Sequence, residues 1–230
     1  MPASTKLPNQ RQASEVMSRY NVNTVEGEYQ LGSNDQVLKN LLGITSVDEM
    51  NELEFDLLAQ LYETVLVQDL PEHALTVDDL KGWHRRWLGN VYEWAGQERS
   101  VNMSKDGFPF AAAAQIPWAL AQLDRNCLKR WTPCSGLGTD ELVEAIAVTH
   151  VELILIHPFR EGNGRLSRLL ADVMAVQAGL EPLDYSSWEL NKVEYISAIH
   201  HGVGSNYEPM KRWVRLALGI AVDDFRPPQA

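Results

Sequence analysis

The sequence predicts one all-α domain. Two observations carry this. Helix-capping signatures recur ahead of apolar residues spaced three and four apart: Ser46-Val47-Asp48-Glu49, Thr76, Thr139 and Ser186-Ser187-Trp188-Glu189. Each offers a side-chain oxygen to the first free N–H groups of a helix. Only residues 99–110 break that rhythm, where Asp106-Gly107 is a hairpin-turn signal between extended-looking residues. The 230 residues, 45% hydrophobic and 22% charged, suit a single substantial core, and no repeat or linker divides them.

The elements follow in order. Residues 1–20 are polar without a sustained period and read as a loose arm or a short helix. Asn34 or Ser33 is expected to cap a short helix carrying Val37, Leu38, Leu41 and Leu42, stopped by Gly43. The Ser46 box opens a long helix with Leu53, Leu57, Leu58, Leu61 and Val65 on one face. Thr76 caps a helix with Leu80, Trp83, Trp87 and Leu88, ending at Gly89. Residues 115–131 read as helical, with Trp118, Leu120, Leu123 and Leu128 packed inward. Thr139 is expected to cap a helix running to Ile156, and another spans 163–178, closed by Gly179. Glu208-Pro209 starts the last helix, through Trp213, Leu216 and Leu218. The domain reading is an arm over 1–28, a domain over 29–220 and a flexible tail over 221–230.

Charge and composition exclude some functions. The formal net charge of −11 is opposite to what a nucleic-acid surface needs. No apolar run reaches a membrane-spanning length, and the first residues are not those of a signal peptide. Cys127 and Cys134 have no metal-type partners nearby and read as reduced thiols of a cytoplasmic protein, with a disulfide between them the alternative.

The stretch most dense in chemistry is His157-Pro158-Phe159-Arg160-Glu161-Gly162-Asn163-Gly164-Arg165-Leu166-Ser167-Arg168. It lies between the apolar run 153–156 and a helical pattern through Leu166, Leu169, Leu170, Val173 and Met174. A helix start combines free N–H groups with a positive dipole end and so attracts anions. Gly162 and Gly164 allow backbone N–H groups to approach a phosphate. Arg165 and Arg168 project from one side of the first turn, and two guanidinium forks beside a helix N-terminus fit a polyphosphate. Glu161 is an oxygen ligand for the Mg²⁺ that accompanies one. His157 is the group able to take a proton near neutral pH.

This stretch resembles the signature of the Fic (Fido) family, His-x-Phe-x-Asp/Glu-Gly-Asn-Gly-Arg-x-x-Arg, at every defined position. Segments such as Val37-Leu38-Lys39-Asn40, His84-Arg85-Arg86 and Tyr92-Glu93-Trp94-Ala95-Gly96 resemble bacterial members too, so the likeness covers roughly residues 29–218. It implies a helical bundle of about eight helices with a short β-hairpin flap, and transfer of AMP from ATP to a Tyr, Thr or Ser hydroxyl of a target protein. It further implies that His157 deprotonates that hydroxyl and Phe159 anchors the loop. Glu161 would hold Mg²⁺, Gly162, Asn163 and Gly164 the α- and β-phosphates, Arg165 the β-phosphate and Arg168 the γ-phosphate. Residues Asn102, Met103, Ser104, Lys105, Asp106 and Gly107 correspond to the flap, against which a target segment adds as a strand. The intact Gly-Asn-Gly-Arg portion favours AMP over UMP, phosphate or phosphocholine, and the intact His157 argues against a binder without catalysis.

Members of the family are often restrained by an inhibitory glutamate in a Ser/Thr-x-x-x-Glu-Gly/Asn pattern. Asn21-Val22-Asn23-Thr24-Val25-Glu26-Gly27 resembles it, with Val22 where Ser or Thr is expected. Either Glu26 or a separate antitoxin chain then supplies the restraint, with a homo-oligomer a further partner to consider. Elsewhere, His150 reads as a packed helix residue, His200-His201 as surface, and most tryptophans as core. Trp188, Asn191 and Tyr195 follow the signature helix, where family members complete the adenine pocket.

Overall fold

A computed structural model describes residues 27–221, and its first two helices begin at the caps the sequence places. In α1 (Val47–Tyr62) the Ser46 side chain accepts the Glu49 N–H, and the helix continues into a π-helical turn, Glu63–Gln68. In α2 (Val77–Leu88) the box is reciprocal, since Thr76 accepts the Asp79 N–H while the Asp79 carboxylate accepts the Thr76 N–H. A two-residue turn joins strands β1 (Ser104–Lys105) and β2 (Phe108–Pro109) in an antiparallel hairpin, with Lys105 opposite Phe108. Asp106 and Gly107 have φ of 50° and 81°, the left-handed pair such a turn requires. Then come α3 (Ile116–Leu123), a π-helical turn (Asp124–Leu128) and the single turn α4 (Lys129–Trp131). The remaining helices are α5 (Thr139–Ile156), α6 (Asn163–Gln177), α7 (Ser186–Leu190), α8 (Lys192–His201) and α9 (Glu208–Ala217).

Helix α5 is the axis of the bundle. Of its 18 residues, 11 are buried, and they point in all directions, so it needs neighbours on every side. Helix α6 lies along it; α3, α8 and α9 cover other faces, while α2 and the π-helical turn after α1 close over α6. The apolar run before His157 therefore sits in the middle of the core, and the signature loop turns between the two most buried helices. No helix of the described residues is long and apolar enough to cross a membrane. Cys127 and Cys134 are both free and buried, and burial pushes their thiols up to about 11 and about 12.

Four expectations are corrected. Residues 33–43 form no helix: Tyr29 and Leu38 pair as an antiparallel bridge, and Gln30 and Lys39 donate to the Val37 and Glu28 carbonyls. Asn34 and Asp35, at φ of 54° and 59°, make a left-handed turn, which these two residue types tolerate. Leu41 and Leu42 consequently stay exposed. Trp118 is 67% exposed rather than packed. Gly138, not Thr139, is the N-cap of α5. Helix α7 lacks the expected box; instead the Asp184 carboxylate accepts the N–H and hydroxyl of Ser186.

Trp188 is fully buried, and its indole N–H donates to the Trp213 carbonyl at 3.1 Å. It is thus a packing residue between α7 and α9, not a pocket wall. Trp188→Ala should cost about 3–5 kcal/mol of stability, the usual range for deleting a buried aromatic. Urea unfolding monitored by circular dichroism checks this, and a loss below about 1 kcal/mol contradicts the packing assignment.

Candidate active site

Helix α5 ends on His157, which adopts a left-handed conformation (φ 50°, ψ 59°) and returns its N–H to the Leu153 carbonyl. The chain then turns through residues 158–162 and enters α6 from its N-cap Gly162, also left-handed (φ 81°). A side chain at Gly162 would place Cβ 2.7 Å from the Trp87 ring, so glycine is needed here for close packing as well as for φ. At Gly164 a Cβ would meet nothing within 4 Å, and the first turn of α6 is open on that face.

The loop between the two helices is clamped from inside. Phe159 is buried and stacks on the His84 imidazole with centroids 4.0 Å apart. Asn163 is buried as well; its Oδ1 accepts the Phe159 N–H at 2.9 Å and its Nδ2 donates to the Phe159 carbonyl at 2.7 Å. Both ends of the Asn163 amide are thereby committed to the loop. His84 completes the clamp. Its Nδ1 accepts the Gly96 N–H at 2.8 Å, so Nε2 carries the proton and donates to the Glu161 carbonyl at 3.0 Å.

Around the helix start the charges are arranged in two different ways. Arg165 reaches the Glu54 carboxylate at 2.7 Å and Glu161 at 3.4 Å, with its guanidinium 4.6 Å over the Trp87 ring. Glu54 is buried, accepts the Tyr92 hydroxyl at 2.7 Å, and gives its carbonyl to the Trp87 indole. Arg165 is therefore fixed in place. Arg168 pairs instead with Glu189, whose side chain is 65% exposed, and lies 4.9 Å over Tyr185. Arg165 and Arg168 both line a groove of about 880 Å³ with Phe55, Tyr62, Leu66 and Leu180. Glu161 is half exposed, and its Oε1 accepts the Gly162 N–H at 2.9 Å. Among the described residues no three His, Cys, Asp or Glu side chains gather as a metal cage. A single accessible carboxylate suits an ion that takes its remaining ligands from phosphates and water, as Mg²⁺ does.

The imidazole of His157 contacts the Ile154 carbonyl through Nδ1 at 3.2 Å. A carbonyl only accepts, so Nδ1 carries the proton and Nε2 has the lone pair. Burial lowers its pKa to about 4, against the Ile154 carbonyl and Glu161, which raise it; Arg99 and Lys105 lower it further. The ring is therefore neutral and able to accept a proton at pH 7. The hairpin lies against it, Phe110 stacking on the imidazole at 3.7 Å and Phe108 on His200 at 4.0 Å. On the hairpin, Ser104, Lys105, Asp106 and Gly107 are exposed, whereas Met103 is buried and the Asn102 side chain accepts the Ala113 N–H.

The structure thus brings His157, Glu161, Gly162, Asn163, Gly164, Arg165 and Arg168 to one loop and one helix start, with the hairpin beside them. Glu26 lies outside the described residues. His150 is a buried packing residue, held by the Ser167 carbonyl and the Tyr195 hydroxyl, and Tyr195 stacks on Trp188. Sequence reasoning gave no site role to four contributors: Glu54, His84, Arg99 and Phe110. A signal existed for Glu54, an acid on the same face as Met50 and Leu61 in an apolar helix stripe. His84 shared a helix face with Leu80, Trp87 and Leu88. Arg99 and Phe110 had none, because their partners are distant backbone atoms and a ring.

Comparisons with known proteins agree with this arrangement. Residues 74–175 match the Fic/DOC family. Protein adenylyltransferase VbhT of Bartonella schoenbuchensis is 34% identical over 155 residues, 64% of this chain and 32% of that one. Protein adenylyltransferase Fic of Nematostella vectensis is 26% identical over 235 residues, 98% of this chain and 52% of the other. This chain spans about a third to a half of the length of these curated relatives. Among solved structures, the N-terminal Fic domain of a Bartonella effector protein from Bartonella sp. AR 15-3 superposes with a TM-score of 0.72 at 23% identity, covering 90% of this chain and 99% of that one. The BepC protein of Bartonella tribocorum, solved with bound AMPPNP, superposes at 0.63 with 24% identity, covering 79% and 92%. At these identities the structures establish the shared fold.

Burial holds His84, His150 and His157 each at about 4. Below about 6.5 the unfolded chain binds protons that the folded chain refuses, so their contribution is intact above that pH and is lost as pH falls toward 4. Asp172 opposes this: burial raises it to about 6, so the folded state binds its proton first. Three groups outweigh one. The urea midpoint should fall steadily between pH 6.5 and 4, and a flat profile there contradicts the buried neutral imidazoles.

Proposed function

We propose that this chain, whose residues 74–175 match the Fic/DOC family, is a protein adenylyltransferase, moving AMP from ATP to a hydroxyl side chain of a target protein. The observation that carries the reading is a neutral, oriented imidazole on the same short loop as an open helix N-terminus and two arginines. Relatives named for adenylyl transfer support AMP over other groups.

In this reading the amides at the start of α6 and Arg165 bind the phosphates. Arg165, held by buried Glu54, is aimed before the nucleotide arrives and needs no reorganisation. Arg168 gives up only an exposed pair with Glu189, worth about 0–1 kcal/mol, to meet the γ-phosphate. Glu161 would hold Mg²⁺, which when bound offsets negative charge developing on the phosphate oxygens. Nε2 of His157 takes the proton of the target Ser, Thr or Tyr hydroxyl. That oxygen forms a bond to the α-phosphorus as the bond from the α-phosphorus to the bridging oxygen breaks, and pyrophosphate leaves. The exposed hairpin residues 104–107 lie beside the base, where a target segment can pair with the backbone. Asn102 fixes the hairpin stem and Met103 packs beneath it.

His157→Ala should lower AMP transfer by at least the 10²–10⁴-fold typical of a general base, with ATP affinity retained by calorimetry. Transfer at the wild-type rate would remove His157 from the reaction.

The sequence pattern Asn21 to Gly27 supports a role for Glu26 as inhibitor, and Arg168, which lines a groove with Phe55, Tyr62 and Leu66, is the arginine it would occupy. A carboxylate brought there by the N-terminal segment would displace Glu189 from Arg168 and deny that arginine to the γ-phosphate. Glu26→Gly should raise labelling of target proteins severalfold. Equal rates for the two forms would instead assign the restraint to a separate antitoxin chain or to self-association.

A further inference from the structure

The strongest connection between the hairpin and the loop is made by one residue that the reaction does not use. Arg99 is buried, and its guanidinium bonds to four backbone carbonyls on three segments. Nε donates to the His157 carbonyl at 2.7 Å. One terminal nitrogen donates to the Val101 carbonyl on the first hairpin stem. The other donates to the Ala111 carbonyl on the second stem at 2.6 Å and to the Ile156 carbonyl at 3.3 Å. The Arg99 N–H meets the Pro158 carbonyl at 2.8 Å, and the Ala111 N–H meets the Leu155 carbonyl at 3.1 Å. The guanidinium thus closes the C-terminal end of α5, where a cation is favoured and carbonyls lack partners. At the same time it ties both hairpin stems to the backbone of the residue whose imidazole faces the site.

A second contact runs through the side chains. Phe110 follows β2 directly, and its ring lies 3.7 Å from the His157 imidazole at an interplanar angle of 9°. With Nδ1 on the Ile154 carbonyl, the stack fixes the remaining freedom of the ring, its rotation about the bond from Cβ. Hairpin and imidazole are therefore linked twice, through backbone by Arg99 and ring to ring by Phe110.

We propose that Arg99 and Phe110 are positioning residues that hold the flap and the His157 imidazole as one rigid unit, so that a target segment seated on the flap meets a base already aimed at its hydroxyl. The proposal rests on the reading of His157 as the base. Only a planar fork with five donors can serve carbonyls on both stems and on the helix end; an ammonium at the same site is a single point with three donors. Only a flat ring can restrain the imidazole by stacking, which Tyr preserves and Leu does not.

The test compares Phe110→Leu, Phe110→Tyr and Arg99→Lys with the full chain, with thermal melts confirming that each variant is folded. The first readout is the ¹⁵N spectrum of the His157 ring at pH 7. The wild type and Phe110→Tyr should show the Nδ1–H tautomer alone, and Phe110→Leu a mixture of tautomers. The second is AMP transfer to target proteins. Phe110→Leu should lose roughly 10–10²-fold in kcat, the scale of a small misplacement of a catalytic group, with ATP affinity unchanged and activity restored in Phe110→Tyr. Arg99→Lys should shift the tautomer balance the same way and also raise KM for the target protein. If Arg99→Lys does not fold, the Phe110 pair decides. An unchanged tautomer signal and unchanged kcat in Phe110→Leu overturn the proposal while leaving the transferase reading intact. A tautomer lost in Phe110→Leu and kept in Phe110→Tyr supports the positioning role even if the wild type transfers no AMP, a result that would overturn the transferase reading alone.

Discussion

The Asn163 amide reaches back from the first residue of α6 to the backbone of Phe159, accepting its N–H and donating to its carbonyl. The geometry of the site depends on this pair of bonds. They close a loop between two buried helices, and the Phe159 ring is then driven onto His84 beneath it. Release of that loop would free the helix N-terminus, Glu161 and His157 together. The cost of such a loop is its buried polar backbone, and here each group near the clamp finds a partner: Glu161 through His84, Gly162 through the Glu161 carboxylate, His157 through Arg99.

The two arginines of the helix start differ in how they are supported, and that difference has chemical meaning. Arg165 sits between a buried carboxylate and an indole face, an arrangement that has already met the desolvation of Glu54 and leaves the guanidinium little freedom. Arg168 rests on a tyrosine ring and an exposed glutamate, a partner that exchanges readily. A fixed cation suits a contact common to every turnover. An exchangeable one suits a point where an anion competes with another, whether that anion is a phosphate or a carboxylate.

The imidazole gains its neutrality from the same burial that positions it. Enclosure by the hairpin and the end of α5 removes water from His157 and holds its pKa at about 4, while the Ile154 carbonyl selects the tautomer. Base strength is thereby reduced in exchange for a lone pair that is present at every physiological pH. Arg99 contributes to both effects, through its positive charge and through its bond to the His157 carbonyl.

By itself the sequence determined whatever depends on neighbours close along the chain. Helix starts at Ser46 and Thr76, the left-handed Asp106-Gly107 turn and the charges on the first turn of α6 are local, set by spacing and by what a backbone of that shape needs. Local logic also misled where two outcomes compete: Asn34 and Asp35 are good caps and equally good left-handed turn residues, and the burial of Val37 against the rest of the bundle favoured the turn. Tertiary structure alone decided which carboxylate would hold Arg165, 111 residues away along the chain at Glu54, and that Arg99 would bond to carbonyls 57 and 58 residues distant. A carbonyl has no residue type, and a buried acid looks like any surface acid until its helix is packed. Such contacts arise only when folding brings the segments together.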